Sequence, residues 1–314
     1  MIGVSSRLPR LVVVAILLLA AGIVGNAFEL QGSEKSVYVI LTDAQNKPAP
    51  PGAPANVFKI REDNIDRDVV KVEQIKEPMA IVLLADTTSA MVPFPRDLRD
   101  SAAAFTNRML KNSPQSSVAL WEFGGADIPV EQFTSDAPKL AEAATKLFPK
   151  GTLTDMDLVA AGTAVPRGQN ITGSNLIEAL VGASKALAKR PEKRKIIVSF
   201  NSDLSVESNG VQGPTAQSEL EKANVTVIAV SMQAQAANGP LRDNVLDGVC
   251  PYSGGRRITI ATIQALAATL ENVADIISSQ YIVTYSRPSG TPKQVFVGIQ
   301  ANGFKGSTPR WAPK

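Results

Sequence analysis

Four continuous apolar runs, separated by segments with helical periodicity, constrain the fold of this chain more than any other feature. A strand that is apolar at every position suits a sheet covered on both faces, because a strand with one wet face alternates. Strands that alternate with helices form βαβ units. We therefore predict an α/β domain with a doubly wound, mostly parallel sheet and helices on both faces. The apolar runs are residues 79–85, 117–123, 195–200 and 225–230, and the helical segments are residues 96–111, 137–148, 174–189, 215–223 and 263–278.

Segments with period-two alternation lie on both sides of this core. Residues 36–43 are rich in β-branched and aromatic side chains, and residues 57–63 and 69–75 alternate apolar with polar positions. Such segments are typical of half-buried strands. After the last helix, residues 280–285 form a further strand and residues 294–300 alternate again. A small antiparallel β unit is therefore predicted beside the α/β domain.

The chain accordingly divides into four parts. Residues 1–27 are predicted to be a signal peptide, residues 28–77 the small β unit, and residues 78–286 the α/β domain. Residues 287–314 contain a C-terminal strand and a tail, which could pack with the N-terminal β unit.

The N-terminus has the pattern of an export signal. Arg7 and Arg10 precede an uncharged apolar run at residues 11–24, and Gly25 and Ala27 place small residues where a signal peptidase would cleave. The run is shorter than the ~20 residues that a spanning helix needs. Export to the periplasm or the cell exterior is expected, with retention of the segment as an uncleaved anchor left open.

Composition excludes several classes of function. The chain has no histidine and one cysteine, Cys250, so an internal disulfide, the usual zinc ligand sets and histidine-assisted nucleophiles are all impossible. With 32 basic and 29 acidic residues, it lacks the electrostatic footprint of a nucleic-acid binder. We expect a protein that is not an enzyme, that binds no nucleic acid, and whose contact with membranes is limited to the export signal.

The most unusual polar cluster follows the first apolar run. Residues 86–91 read Asp-Thr-Thr-Ser-Ala-Met, directly after residues 79–85. Ligands of doubly wound sheets bind at the carboxyl ends of the strands, and oxygen ligands suit hard divalent cations such as Mg²⁺. Plainer roles are also open. Asp86 could brace its own loop, and Ser174 could be the N-cap of the following helix.

These motifs resemble the metal-ion-dependent adhesion site (MIDAS) of von Willebrand factor type A (VWA) domains. The family reads Asp-x-Ser-x-Ser where residues 80–91 read AIVLLADTTSAM. Residues 172–176 (TGSNL) and 194–203 (RKIIVSFNSD) stand where the family has its second and third site loops. Residues 37–300 resemble the VWFA-related proteins of Acidobacteria, for example in LENVADIISSQYIVTY at residues 270–285.

The resemblance implies a degenerate metal site. Its residues would be Asp86, Thr88, Ser174 and Asp203. Ala90 replaces a ligand serine, and Ser202 occupies the position of the family's aspartate, with Asp203 one residue later. The site could hold Mg²⁺ or another divalent cation. Because one ligand is lost and one carboxylate is displaced, we expect weak binding or none.

The loops around this site would form a rim that contacts a partner protein. The rim residues are Thr87, Ser89, Gly124, Gly125, Thr172, Gly173, Asn175 and Ser202. The long connection at residues 151–173 belongs to the same edge, and its Asp155 and Asp157 could supply missing carboxylates. Residues 253–257 are interpreted as a surface turn.

The function expected from these features is protein binding, in adhesion or as a scaffold, by an exported VWA-domain protein. One alternative is a structural component of a cell-envelope assembly that binds through its β unit. The other is a hydrolase that uses carboxylates, with Asp86 and Asp203 as the best pair.

Overall fold

The computed structural model describes residues 33–124, 128–150, 174–203, 207, 213–233, 240–288 and 290–313. The predicted signal peptide therefore lies outside the described residues, as does the whole connection at residues 151–173. The strands are β1 Ser33–Asp43, β2 Phe58–Glu62, β3 Ile65–Arg67, β4 Val69–Gln74, β5 Met79–Asp86, β6 Ser117–Phe123, β7 Ile128–Thr134, β8 Arg194–Ser202, β9 Val225–Met232, β10 Arg256–Ile260, β11 Tyr281–Arg287, β12 Val295–Ile299 and β13 Phe304–Ser307. The helices are α1 Pro95–Asn112, α2 Ala137–Thr145, α3 Leu176–Ala188, α4 Gly213–Ala223, α5 Pro240–Tyr252 and α6 Leu266–Ser278.

Six strands form the central sheet in the order β10-β9-β8-β5-β6-β7. All neighbours are parallel except β6 and β7. Numbered along the chain and read from β7, the order is 3-2-1-4-5-6, which reverses between β5 and β8 and is the doubly wound arrangement. The predicted fold class is confirmed.

Helices cover both faces of this sheet, which explains why its inner strands are apolar throughout. Alternate residues of β5 point to opposite sides, with Ile81 and Leu83 in one core and Val82 and Leu84 in the other. The first core is completed by α1, α2 and α6, and the second by α3, α4 and α5. Each residue of β5 is buried.

The small β unit consists of two antiparallel sheets, with orders β13-β1-β11-β4 and β12-β2-β3. They enclose a third core that includes Val39, Ile60 and Tyr285. The strand at residues 280–285, which the sequence assigned to the α/β domain, lies here between β1 and β4. The C-terminal strands pair with this unit too, β12 with β2 and β13 with β1.

A buried charge cluster joins strands of the β unit that are far apart in sequence. Glu62, fully buried at the end of β2, accepts hydrogen bonds from Arg287, Arg67 and the Tyr285 hydroxyl. Burial by itself would raise the pKa of Glu62, but the hydrogen bonds from Arg287 and Tyr285 and the charge of Arg287 outweigh it and leave that pKa below its usual value. The cluster thus stabilises the contact of β2 with β3 and β11.

None of the helices within the described ranges is both long and apolar enough to cross a membrane.

Candidate functional site

The candidate site lies where the strand order reverses. Asp86 is the last residue of β5 and Ser202 the last of β8, and these strands are neighbours in the sheet. Phe123 ends β6, on the other side of β5. The loops that follow these strands leave from the same edge, so the polar residues at their starts are brought together as the sequence motifs require.

Asp86 joins the first and third loops of the site. Its Oδ1 accepts hydrogen bonds from the backbone N–H of Thr88 at 2.9 Å and from the Thr88 hydroxyl at 2.6 Å. Its Oδ2 accepts from the backbone N–H of Ser202 at 2.9 Å. The carboxylate is fully buried. It therefore braces its own loop and ties that loop to the end of β8.

A second set of bonds connects the end of β6 to the start of α3. The Thr87 hydroxyl donates to the carbonyl of Phe123 at 3.0 Å, and the N–H of Gly124 donates to Asn175 Oδ1 at 2.9 Å. Gly124 has φ +137°, and a Cβ there would lie 2.9 Å from Thr87 C and Thr88 N. Only glycine fits this close approach without strain.

Ser174 lies just before α3. Its Oγ accepts from the N–H of Leu176 at 3.3 Å, while the N-cap position itself belongs to Asn175. Glu207 was not singled out from the sequence. Its Oε1 accepts from the N–H of Ile177 at 3.1 Å, so a carboxylate lies at the N-terminus of the helix, where the dipole favours negative charge.

Asp203 is paired with an arginine. Arg257 Nη2 lies 3.0 Å from Asp203 Oδ1, and its Nε donates to Ser231 Oγ at 2.9 Å. Asp203 is almost fully buried, and the side chain of Arg257 is 13% exposed. A guanidinium thus holds the carboxylate that the VWA resemblance assigned to a metal ion.

The strand that carries Arg257 shows that one interpretation of the sequence was wrong. Residues 253–257 are not a surface turn, because Arg256 and Arg257 belong to β10, a parallel neighbour of β9. A Cβ on Gly255 would lie 1.8 Å from the carbonyl oxygen of Val227, so the segment passes directly over β9. The alternation in RRITI at residues 256–260 was the available signal.

The predicted rim is not an open surface where the structure describes it. Five of its eight residues are described, and all five are buried. These are Thr87, Ser89, Gly124, Asn175 and Ser202. The rim residues Gly125, Thr172 and Gly173 lie outside the described residues, as do Asp155 and Asp157. Across the described ranges, no three acidic or cysteine side chains are grouped so as to hold a metal ion.

No protein-family model matches the chain, and no curated protein matches it. Solved VWA domains do. SpRpn10 has 16% identity over 64% of this chain and 96% of its own, with a TM-score of 0.45. The vWF domain of the type V pili tip protein Mfa5 from Porphyromonas gingivalis has 13% identity over 65% of this chain and 96% of its own, with a TM-score of 0.47. A von Willebrand factor type A protein from Catenulispora acidiphila has 10% identity over 91% of this chain and 75% of its own, with a TM-score of 0.48.

The chain is thus similar to VWA domains in fold, as its motifs predicted. The finer resemblance to the Acidobacteria proteins stays a prediction.

Proposed function

We propose that this protein is an exported, non-enzymatic VWA-type protein that binds another protein through the carboxyl edge of its central sheet, with little or no dependence on a divalent metal. The bonding of Asp86 and Asp203 is the observation that carries the proposal. Export rests on the signal-like residues 1–27.

Loss of metal dependence is supported by the side chains that would have to act as ligands. Ala90 offers a methyl group where the family has a serine. Asp203 already faces the guanidinium of Arg257, and the oxygens of Asp86 accept three short hydrogen bonds from Thr88 and Ser202. Mg²⁺ gives up its waters reluctantly and needs well-placed carboxylates. These residues do not fit the ion.

A non-catalytic role is supported by the groups that could do chemistry. The sequence contains no histidine. Burial raises the pKa of the Cys250 thiol to about 12, which keeps it protonated and unreactive at neutral pH. Asp86 and Asp203 are engaged by separate partners in the described structure. Carboxylates engaged in this way suit recognition better than turnover.

Calorimetric titration of the mature protein with Mg²⁺ and with Mn²⁺ tests the metal part of the proposal. We expect no saturable heat at millimolar metal, for the wild type and for Asp86→Ala alike. Saturable binding by the wild type that disappears in Asp86→Ala would show that the family's metal mechanism survives here. A hydrolase screen in which Asp86→Asn abolishes turnover would contradict the non-enzymatic role.

Contact through the β unit is a second candidate, favoured by two exposed aliphatic side chains. Ile65 in β3 is 56% exposed and Val70 in β4 is 54% exposed. This candidate would make the unit a structural part of an envelope assembly. It predicts that Asp86→Ala leaves assembly unchanged and that removing residues 28–77 abolishes it.

A further inference from the structure

We propose that Phe148, with the guanidinium of Arg99 above its ring, is the contact point at which the carboxyl edge receives a partner protein, and that the partner offers a carboxylate beside an apolar side chain. The inference rests on the proposed function and names the part of this edge that meets the partner.

Phe148 is exposed between two buried neighbours. Its side chain is 63% exposed, whereas its neighbours Leu147 and Pro149 are buried. Of the large hydrophobic residues in the described ranges, it is the most exposed. Aromatic side chains in such positions often dominate the binding energy of protein interfaces.

The segment that carries Phe148 is fixed at both ends. Arg99 Nε donates to the carbonyl of Leu147 at 2.9 Å, and the N–H of Lys150 donates to the carbonyl of Thr87 at 2.7 Å. Lys150 Nζ also pairs with Glu122. A backbone segment that is already anchored loses little conformational entropy on binding, which favours affinity. The bond to Thr87, next to Asp86, places the segment beside the candidate site.

The charge next to Phe148 indicates what the partner carries. The guanidinium carbon of Arg99 lies 5.8 Å from the centre of the Phe148 ring. Other cations of this region face carboxylates, Arg96 with Asp100 and Lys146 with Glu142. For Arg99, the hydrogen bond seen among the described residues goes to a neutral carbonyl.

Among the described residues, the Arg99 guanidinium faces no carboxylate and lies over an exposed ring. Such a group is complementary to a partner carboxylate next to an aliphatic or aromatic side chain. Because the positive charge comes from the protein itself, such a contact needs no bridging cation. This agrees with the engagement of Asp203 by Arg257.

Selection from a library of displayed random peptides tests the inference. The bait is the mature protein in EDTA, and the enriched peptides are then titrated against variants. We expect acidic residues next to apolar ones in the enriched set. Phe148→Ala should weaken their binding about tenfold or more, as for a typical interface hot spot. Arg99→Gln also removes the bond to Leu147, so it should weaken all peptides somewhat, but it should weaken acidic peptides more than the same peptides with Asn or Gln in place of their acids.

The matched control is Ile65→Ala, which removes a comparably exposed apolar side chain from the β unit and should leave affinity unchanged. Unchanged thermal midpoints for Phe148→Ala and Ile65→Ala would show that both variants are folded.

If the enriched peptides bind Phe148→Ala as tightly as the wild type, the inference is overturned, although protein binding itself stands. If Ile65→Ala weakens their binding instead, the contact lies on the β unit. Failure to enrich any peptide counts against the proposed function as well. Binding to anionic phosphatidylserine vesicles, lost in Phe148→Ala without peptide binding, would replace the protein partner with a membrane.

Discussion

Two carboxylates are completely buried in the part of the chain that the structure describes, and the hydrogen bonds described for them come from donors that differ in kind. Glu62 in the β unit is held by Arg287 and Arg67. Asp86 at the sheet edge is held, in the described contacts, by the backbone N–H groups of Thr88 and Ser202 and by a hydroxyl. Both residues end a strand, so position alone does not account for the difference.

The difference separates a structural role from a positioning role. A carboxylate between guanidiniums joins strands strongly, and removing one member leaves buried charges without a partner. A carboxylate that accepts from neutral donors sets the shape of a loop and costs less to alter. We therefore expect the β unit to depend on Glu62 for its stability, and the sheet edge to depend on Asp86 for its geometry.

The largest expected effect comes from Glu62→Gln. Because the amide leaves Arg287 and Arg67 without their carboxylate, the free energy of unfolding should fall by about 3–5 kcal/mol. Urea denaturation measures it. The control is Asp66→Asn, which removes the exposed partner of Arg61 and should cost less than about 1 kcal/mol. Similar losses in the free energy of unfolding for the two variants would show that Glu62 stabilises the fold no more than an exposed carboxylate does.

An intermediate effect is expected from Asp86→Asn. The amide can supply one acceptor oxygen, so one of the donors on Thr88 and Ser202 loses its partner, at a cost of about 1–3 kcal/mol. Hydrogen exchange should speed up at residues 86–91 and 202–203. Asp43→Asn is the control, since the half-buried Asp43 accepts comparable backbone bonds from Gln45 and Lys47. Equal effects at the two positions would contradict a special role for burial.

The smallest effect is expected from mild acid. The pKa of Glu62 is below 4.5 in the folded protein, so Glu62 contributes stability above that value, and the contribution is lost as the pH falls through its folded pKa. Between pH 5 and pH 4, where the unfolded chain begins to take up the proton, the loss from this group should reach up to about 0.7 kcal/mol. The free energy of unfolding is measured by urea denaturation at each pH for the wild type and for Glu62→Gln. The difference between the two pH dependences isolates the contribution of Glu62. If the stability advantage of the wild type over Glu62→Gln grew as the pH fell, the prediction would be wrong.

Much of the fold could be predicted because burial on two faces leaves a simple pattern. The runs at residues 79–85, 117–123, 195–200 and 225–230 coincide with β5, β6, β8 and β9. Five elements were missed, namely β3, β7, α5, β10 and β13. The edge strand β7 mixes proline and charge, α5 contains Pro251, and β10 begins with two arginines. Their local patterns are weak because neighbouring elements, more than their own composition, hold them in place.

The site could be predicted only in outline. The motif at residues 86–91 correctly indicated a loop at a strand end, and the structure brings Asp86 and Ser202 within hydrogen-bonding distance. The ion pair of Asp203 with Arg257 could not be foreseen, since the two residues are distant in sequence and no local pattern joins them. The burial of the predicted rim was likewise invisible in a run of hydroxyl side chains.

Periodicity and composition were sufficient to predict most of the strands and helices and the absence of imidazole chemistry, because these depend on neighbouring residues and on which residue types the chain contains. The partners of the charges depended on the assembled fold. Arg257 reaches Asp203, and Arg287 reaches Glu62, only after strands from separate parts of the chain pair or pack together. Electrostatic contacts act over a few ångströms in space, and only the tertiary structure sets those distances.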